Sequence, residues 1–131
     1  MTESEYIDSI RSEVRHNYPL TSEVVKRVDE ALEKFPSSPA LWCLRGDVIQ
    51  LSDDIDYVLE AALNSYKKAI ELDPNNAETY EEIGHFYNAV NDAPATAESY
   101  FRKAVALGGG ESSKRGLAGV LAELNQRRDE K

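Results

Sequence analysis

Two histidines, one cysteine and a short run of aspartates are the side chains in this sequence whose types could do chemistry. His16 and His85 lie in different segments, and no HExxH, CxxC, GxGxxG or GxxxxGK pattern accompanies either. Cys43 has no second thiol, which excludes an intramolecular disulfide framework; in an amphipathic stretch it reads as a small buried hydrophobe. Asp53, Asp54 and Asp56 in "SDDIDYVLE" lack the longer alternation of ligands, the glycine turn and the closing Glu that a calcium loop needs. A solvated loop that also caps the next helix explains them better. "GGGESSKRG" at 108–116 offers glycines ahead of Ser-Ser-Lys, as a phosphate cradle would. It lacks the Gly-Lys-Ser/Thr junction and follows no strand pattern, so it reads as a helix terminator followed by a cap. No catalytic residue, metal site or cofactor is therefore expected. An enzyme would have to assemble a pocket from residues such as His85, Tyr57 or Glu123, and no motif supports that.

The elements that position these residues are bounded by size and charge. At 131 residues the chain suffices for one domain with a modest core. Hydrophobic residues at 41% with charged residues at 30% describe a globular chain. Its apolar runs are too short to cross a bilayer, and "MTESEYIDSI" is acidic where a secretory signal would be basic, so a cytoplasmic location is expected. The formal net charge of −9 is concentrated centrally: residues 36–110 hold twelve Asp/Glu against five Lys/Arg. Such a surface repels phosphate backbones, which argues against nucleic acid and favours a basic partner.

The same residue types recur at a fixed spacing. Val24, Ala62 and Ala97 are 38 and 35 residues apart, as are Val28, Tyr66 and Phe101, then Ala31, Ala69 and Ala104, then Pro36, Pro74 and Gly109. On the partner segments, Ile7, Trp42 and Tyr80 are 35 and 38 apart, and so are Ile10, Arg45 and Ile83, then Arg11, Gly46 and Gly84, then Val14, Ile49 and Tyr87. Tyr80, Ile83, Gly84 and Tyr87 share one face of a 3.6-period helix, and Ala97, Tyr100, Phe101 and Ala104 share another. Gly84 is expected against Ala97, and Gly46 against Ala62, allowing close helix approach while aromatic rings fill the space beyond.

Punctuation fixes the ends. Pro74 in "LDPNN" stops one helix, and Asn75 or Asn76 can cap the next, with Glu78 in its first turn. Pro94 suits a first turn with Asp92 as cap, and "GGG" at 108–110 is a stop. Seven helices follow, near 3–15, 21–34, 39–51, 57–71, 77–89, 94–107 and 111–125.

These residues resemble the tetratricopeptide repeat, whose pattern is a large aromatic, Leu-Gly and Tyr on one helix, then Ala, Phe or Tyr, Ala and a closing Pro on the next. Tyr80, Ile83, Gly84, Tyr87, Ala97, Phe101 and Ala104 form the clearest unit, with Gly109 in the proline place. Trp42, Gly46, Ile49, Ala62, Tyr66, Ala69 and Pro74 form another, with Arg45 in the leucine place. The first unit is degenerate. The resemblance implies an all-α, right-handed α-α superhelix of antiparallel helix pairs. It would be one domain over 3–125, with units near 3–36, 38–74 and 76–109, a closing helix over 111–125 and a polar tail over 126–131. The closing segment puts Leu117, Val120, Leu121 and Leu124 on one side, as the end of an array requires.

In arrays of this kind the first helices line a concave groove that takes peptide segments. Carried onto this chain, the groove places are Glu5, Asp8, Ser12 and Arg15, then Ala40, Cys43, Asp47 and Gln50, then Glu78, Glu81, His85 and Asn88, then Ser113, Gly116, Val120 and Glu123. Cys43 thereby moves to the groove wall. Relatives that grip carboxylate-ended tails present Lys and Asn at these places; Asp47, Glu81 and His85 would repel such a ligand. A non-enzymatic adaptor for a Lys/Arg-bearing segment is the leading expectation. A solvated acidic face without a ligand and a homodimer through the terminal helices are the competing ones.

Overall fold

The computed structural model describes residues 1–16, 20–52 and 59–130. Asp53, Asp54, Asp56 and Tyr57 lie outside the described residues. Among the described residues seven helices run in order: α1 Glu3–His16, α2 Ser22–Lys34, α3 Pro39–Leu51, α4 Leu59–Leu72, α5 Ala77–Ala89, α6 Pro94–Ala106 and α7 Glu111–Asp129. They group into two compact units, Met1–Pro74 and Asn75–Lys131.

Local chemistry sets the helix ends. Thr2 and Glu5 form a reciprocal capping box at α1: the Thr2 amide donates to the Glu5 carboxylate at 3.1 Å and the Glu5 amide to the Thr2 hydroxyl at 3.2 Å. Ser38 caps α3 by accepting from the Leu41 amide, ahead of Pro39 in the first turn. Asn76, one of the two expected caps, accepts from the Glu78 amide at α5. Pro94 opens α6, but the residue before it is Ala93 and no side chain caps it. Asp92 does not cap; its backbone takes the left-handed conformation, φ 48°, and its carboxylate turns to Arg127.

The glycines end α6 by geometry. Gly108 has φ 90°, its amide donates to the Val105 carbonyl at 3.0 Å, and the Gly109 amide donates to the Ala104 carbonyl at 2.8 Å. This pair of bonds is the Schellman stop, which satisfies carbonyls that the helix end would otherwise orphan.

In the first unit, α3 packs against α2, α4 and α1. It is accordingly buried on more than one side, through Leu41, Leu44, Gly46, Val48 and Ile49. Val24, Val25, Val28 and Ala31 of α2, with Ala62, Tyr66 and Ala69 of α4, complete this core. Arg45, the departure from leucine, is accommodated by polar bonds: its guanidinium donates to Asp29 of α2 at 2.7 Å and to Ser65 of α4 at 2.8 Å. Leu20 and Ser52 form an isolated parallel bridge.

In the second unit, α5, α6 and α7 pack on one another. Ala97, Phe101 and Val120 are fully buried together, with Tyr87 and Leu117 against them. At both repeat glycines the nearest neighbour is an aromatic ring. An added Cβ on Gly84 would meet the Phe101 ring at 2.9 Å, and one on Gly46 would meet the Tyr66 ring at 2.5 Å. Each glycine therefore makes room for the aromatic ring of its partner helix. Helix α7 continues to Asp129, so most of the stretch expected as a polar tail is helical.

Candidate binding face

The polar residues singled out by the sequence fall into distinct local arrangements. In the first unit, the buried Tyr66 hydroxyl donates to Asp47 at 2.6 Å and accepts from the Gln50 amide at 2.7 Å. The repeat tyrosine thus does more than fill space: its one polar atom orients Asp47 and Gln50 on α3. Cys43, on the same helix, is half-buried.

In the second unit, α5 carries Glu78, Glu81, His85 and Asn88 along one side. Glu78 is exposed, and its carboxylate has no ion-pair partner among the described residues. Glu81 is different, with 16% of its side chain exposed. One carboxylate oxygen accepts from the Ser113 hydroxyl at 2.5 Å and the other from the Ser112 hydroxyl at 2.9 Å. Both serines lie in the first turn of α7, whose N-cap, Gly110, supplies no side chain. A carboxylate there complements the positive end of the α7 dipole, and its two hydroxyl bonds tie α5 to the first turn of α7. His85 Nε2 lies 3.8 Å from the Glu81 oxygen that takes the Ser112 bond, with the histidine side chain 49% exposed. Its ring meets Phe101 edge-on, centroids 4.9 Å apart. Asn88 is half-buried.

Helix α7 departs from the expected groove lining. Ser113 is 1% exposed, Val120 is fully buried, and Gly116 lies against the Phe101 ring, so this line is the packed face of α7 rather than a wall. Leu121, expected on the packed side, is exposed. Glu123 pairs with Arg127 at 2.7 Å, and Arg127 also reaches Asp92 at 2.5 Å. Hydrogen bonds from Arg127 to Asp92 and then to Glu123 hold the guanidinium still more firmly protonated. No pattern in the sequence signals the Ser112 and Ser113 bonds to Glu81, because the partners belong to different helices.

Among the described residues, no group of three or more His, Cys, Asp or Glu is placed to hold a metal ion. No helix of the described residues is long and apolar enough to cross a membrane.

Helix pairs with glycine facing an aromatic ring, repeated in both units, decide the architecture. The fold is the tetratricopeptide-repeat fold. Its family model, described as a TPR repeat, matches residues 59–90. The structure is similar to the Sgt2 TPR domain from Aspergillus fumigatus, at a TM-score of 0.80 and 18% identity, covering 97% of this chain and 82% of that one. It is similar to PilW, a widely conserved type IV pilus biogenesis factor, at a TM-score of 0.78 and 20% identity over 95% of this chain and 55% of that one. A thermophilic TPR protein from Thermus thermophilus aligns at a TM-score of 0.78 and 16% identity, covering 95% of this chain and 66% of that one. In sequence, 62 residues are 36% identical to the anaphase-promoting complex subunit CDC27 of Saccharomyces cerevisiae. That match takes in 47% of this chain and only 8% of the length of the curated relative. Tetratricopeptide arrays serve as protein-interaction modules.

Proposed function

We propose that this chain is a non-enzymatic interaction module whose α5 face takes a Lys- or Arg-bearing segment of another protein. The observation that carries the proposal is the contrast between two carboxylates on one helix. Glu81 is consumed by the two α7 hydroxyls, whereas Glu78 stands exposed with no cation beside it among the described residues. A solvated carboxylate next to a fixed one, on a chain of net charge −9, offers a basic segment one new ion pair without dismantling the fold. His85 and Asn88 extend the same side with groups that donate or accept hydrogen bonds. CDC27 is described as a subunit of a complex and PilW as a biogenesis factor, and an assembly role of that general kind suits a module without chemistry of its own.

The test compares proteins retained from lysate by the native chain and by Glu78→Lys. Glu81 is left intact, because reversing it would also break its bonds to the Ser112 and Ser113 hydroxyls of α7. Proteins held by the native bait and lost from Glu78→Lys, mapped by proteolysis to Lys/Arg-rich segments, are the expected result. Identical retention by both baits rejects the α5 assignment.

A further inference from the structure

We propose that the outer face of α7 is a second docking surface, which takes an amphipathic helix of another protein carrying an aromatic residue and, two residues later, an Asp or Glu. This face is distinct from the α5 side and does not depend on its reading.

The two complete helix pairs show what such a face receives. An added Cβ on Gly46 would meet the Tyr66 ring of α4, and one on Gly84 the Phe101 ring of α6. Gly119 stands 35 residues after Gly84, and nothing lies within 4 Å of its added Cβ. The same offset puts Ala118 in the place of Ile83 and Ala122 in that of Tyr87. Ile83 and Gly84 are buried, whereas Ala118, Gly119 and Ala122 are all exposed. They share one side of α7, away from Ser113 and Val120, which pack into the unit. Helix α7 is thus the first helix of a pair, with no second helix seated on it among the described residues. Alanines in place of Ile and Tyr leave room beside the glycine for a ring at least as large as that of Phe101.

Charge selects among helices. In the α5 and α6 pair, the Lys103 ammonium stands over the Tyr80 ring, 5.9 Å from its centroid. Arg115 holds the Tyr80 place on α7. A helix seated as α6 is would bring the residue two after its aromatic, the counterpart of Lys103, over the Arg115 guanidinium. A carboxylate there is attracted and an ammonium repelled. Arg115 and its neighbour Lys114 are exposed, and no carboxylate among the described residues pairs with either, Glu111 included. Both α4 and α6 carry lysine two residues after their seated aromatic, Lys68 and Lys103, so a second copy of this chain is a poor occupant.

The test uses the full chain and a fluorescent peptide with the α6 sequence, residues 93–107, stapled between the exposed Ala95 and Ser99 places to hold it helical. One version keeps Lys103 and the other is Lys103→Glu. The native chain is expected to bind the Lys103→Glu peptide at least about fivefold more tightly, the weight of one unit charge at contact distance in water. Arg115→Glu in the chain should invert that preference. Gly119→Leu, at a position with open space, should keep the helicity of the chain and weaken the Lys103→Glu peptide by about tenfold or more, because it fills the seat. Absence of binding of either peptide by the native chain, or equal binding by the native and Gly119→Leu chains, overturns the docking surface. Lack of a charge preference, or one that Arg115→Glu leaves unchanged, overturns the acidic partner. A concentration-dependent dimer in sedimentation that Gly119→Leu abolishes would give the face to a second copy and overturn the partner helix.

Discussion

Gly84 lies so close to Phe101 that a Cβ on the glycine would stand 2.9 Å from the ring. That ring is fully buried, and Gly116 of α7 approaches it as well. Phe101 is therefore a side chain of α6 seated against glycines of two neighbouring helices, and the absence of a side chain is what each glycine contributes. Gly84→Ala should cost about 1–3 kcal/mol by overpacking. Gly119, also in α7, has nothing within 4 Å of an added Cβ, so Gly119→Ala should instead stabilise by about 0.5–1 kcal/mol through helix propensity. Urea midpoints at unchanged slope check both signs.

Glu81 is expected to matter to stability more than its neighbours on α5. Glu81→Ala strands the Ser113 hydroxyl, which is 1% exposed, and removes both bonds that tie α5 to the first turn of α7. The loss should be about 1–3 kcal/mol. Glu81→Gln keeps an acceptor oxygen and should recover part of it, and Ser112→Ala, at an exposed position, should change stability by less than about 0.5 kcal/mol. Equal stability of Glu81→Ala and the native chain would contradict this tie between α5 and α7.

Helix boundaries were the most legible part of the sequence, because proline, asparagine and glycine act through local backbone restrictions. Pro94, Asn76 and the glycines at 108–110 stand at observed ends. The end of α7 was not legible at 125, since what accompanies its last turns is a distant partner, Asp92 bonding Arg127. The repeat spacing marked Ala62, Tyr66, Ala69, Ala97, Phe101 and Ala104, all of which are buried. It passed over Leu41, Leu44 and Val48, also buried, because the motif records one helix pairing while α3 packs against three helices. Tyr6 was missed beside Ile7, although its position four residues before Ile10 puts the two on one helix face. For the candidate site, the sequence showed which residues share the α5 side. It could not show that Glu81 is engaged while Glu78 is open, since that depends on where α7 lands.

The glycine stop makes a second backbone prediction. Gly108, at φ 90°, sits where an L side chain is strained, so Gly108→Ala should cost about 1–2 kcal/mol although nothing lies within 4 Å of the added Cβ. The contrast with Gly119→Ala separates conformational strain from crowding. Stability of Gly108→Ala matching the native chain would contradict the Schellman geometry.

The capping box of α1 predicts a pH dependence with a defined sign. The Thr2 amide, and then the Thr2 hydroxyl, hold the Glu5 carboxyl below the ordinary glutamate range. A group depressed in the folded state contributes stability that is present above its unfolded value and lost as pH falls through the folded one. Amide exchange at residues 3–8 should therefore accelerate relative to the rest of α1 as pH drops below about 4.5, after correction for intrinsic exchange rates. Glu5→Gln should remove that pH-dependent difference. A native profile indistinguishable from Glu5→Gln would contradict the box.

The most direct test of the binding face is the affinity of the native chain and of Glu78→Lys for one Lys/Arg-rich peptide, at low and at physiological salt, with matched helicity. Reversal of this exposed charge should weaken binding by about tenfold or more at low salt and by less at high salt, as screening predicts. Equal affinity of the two proteins for the peptide at both salt concentrations would contradict the assignment of a basic ligand to α5.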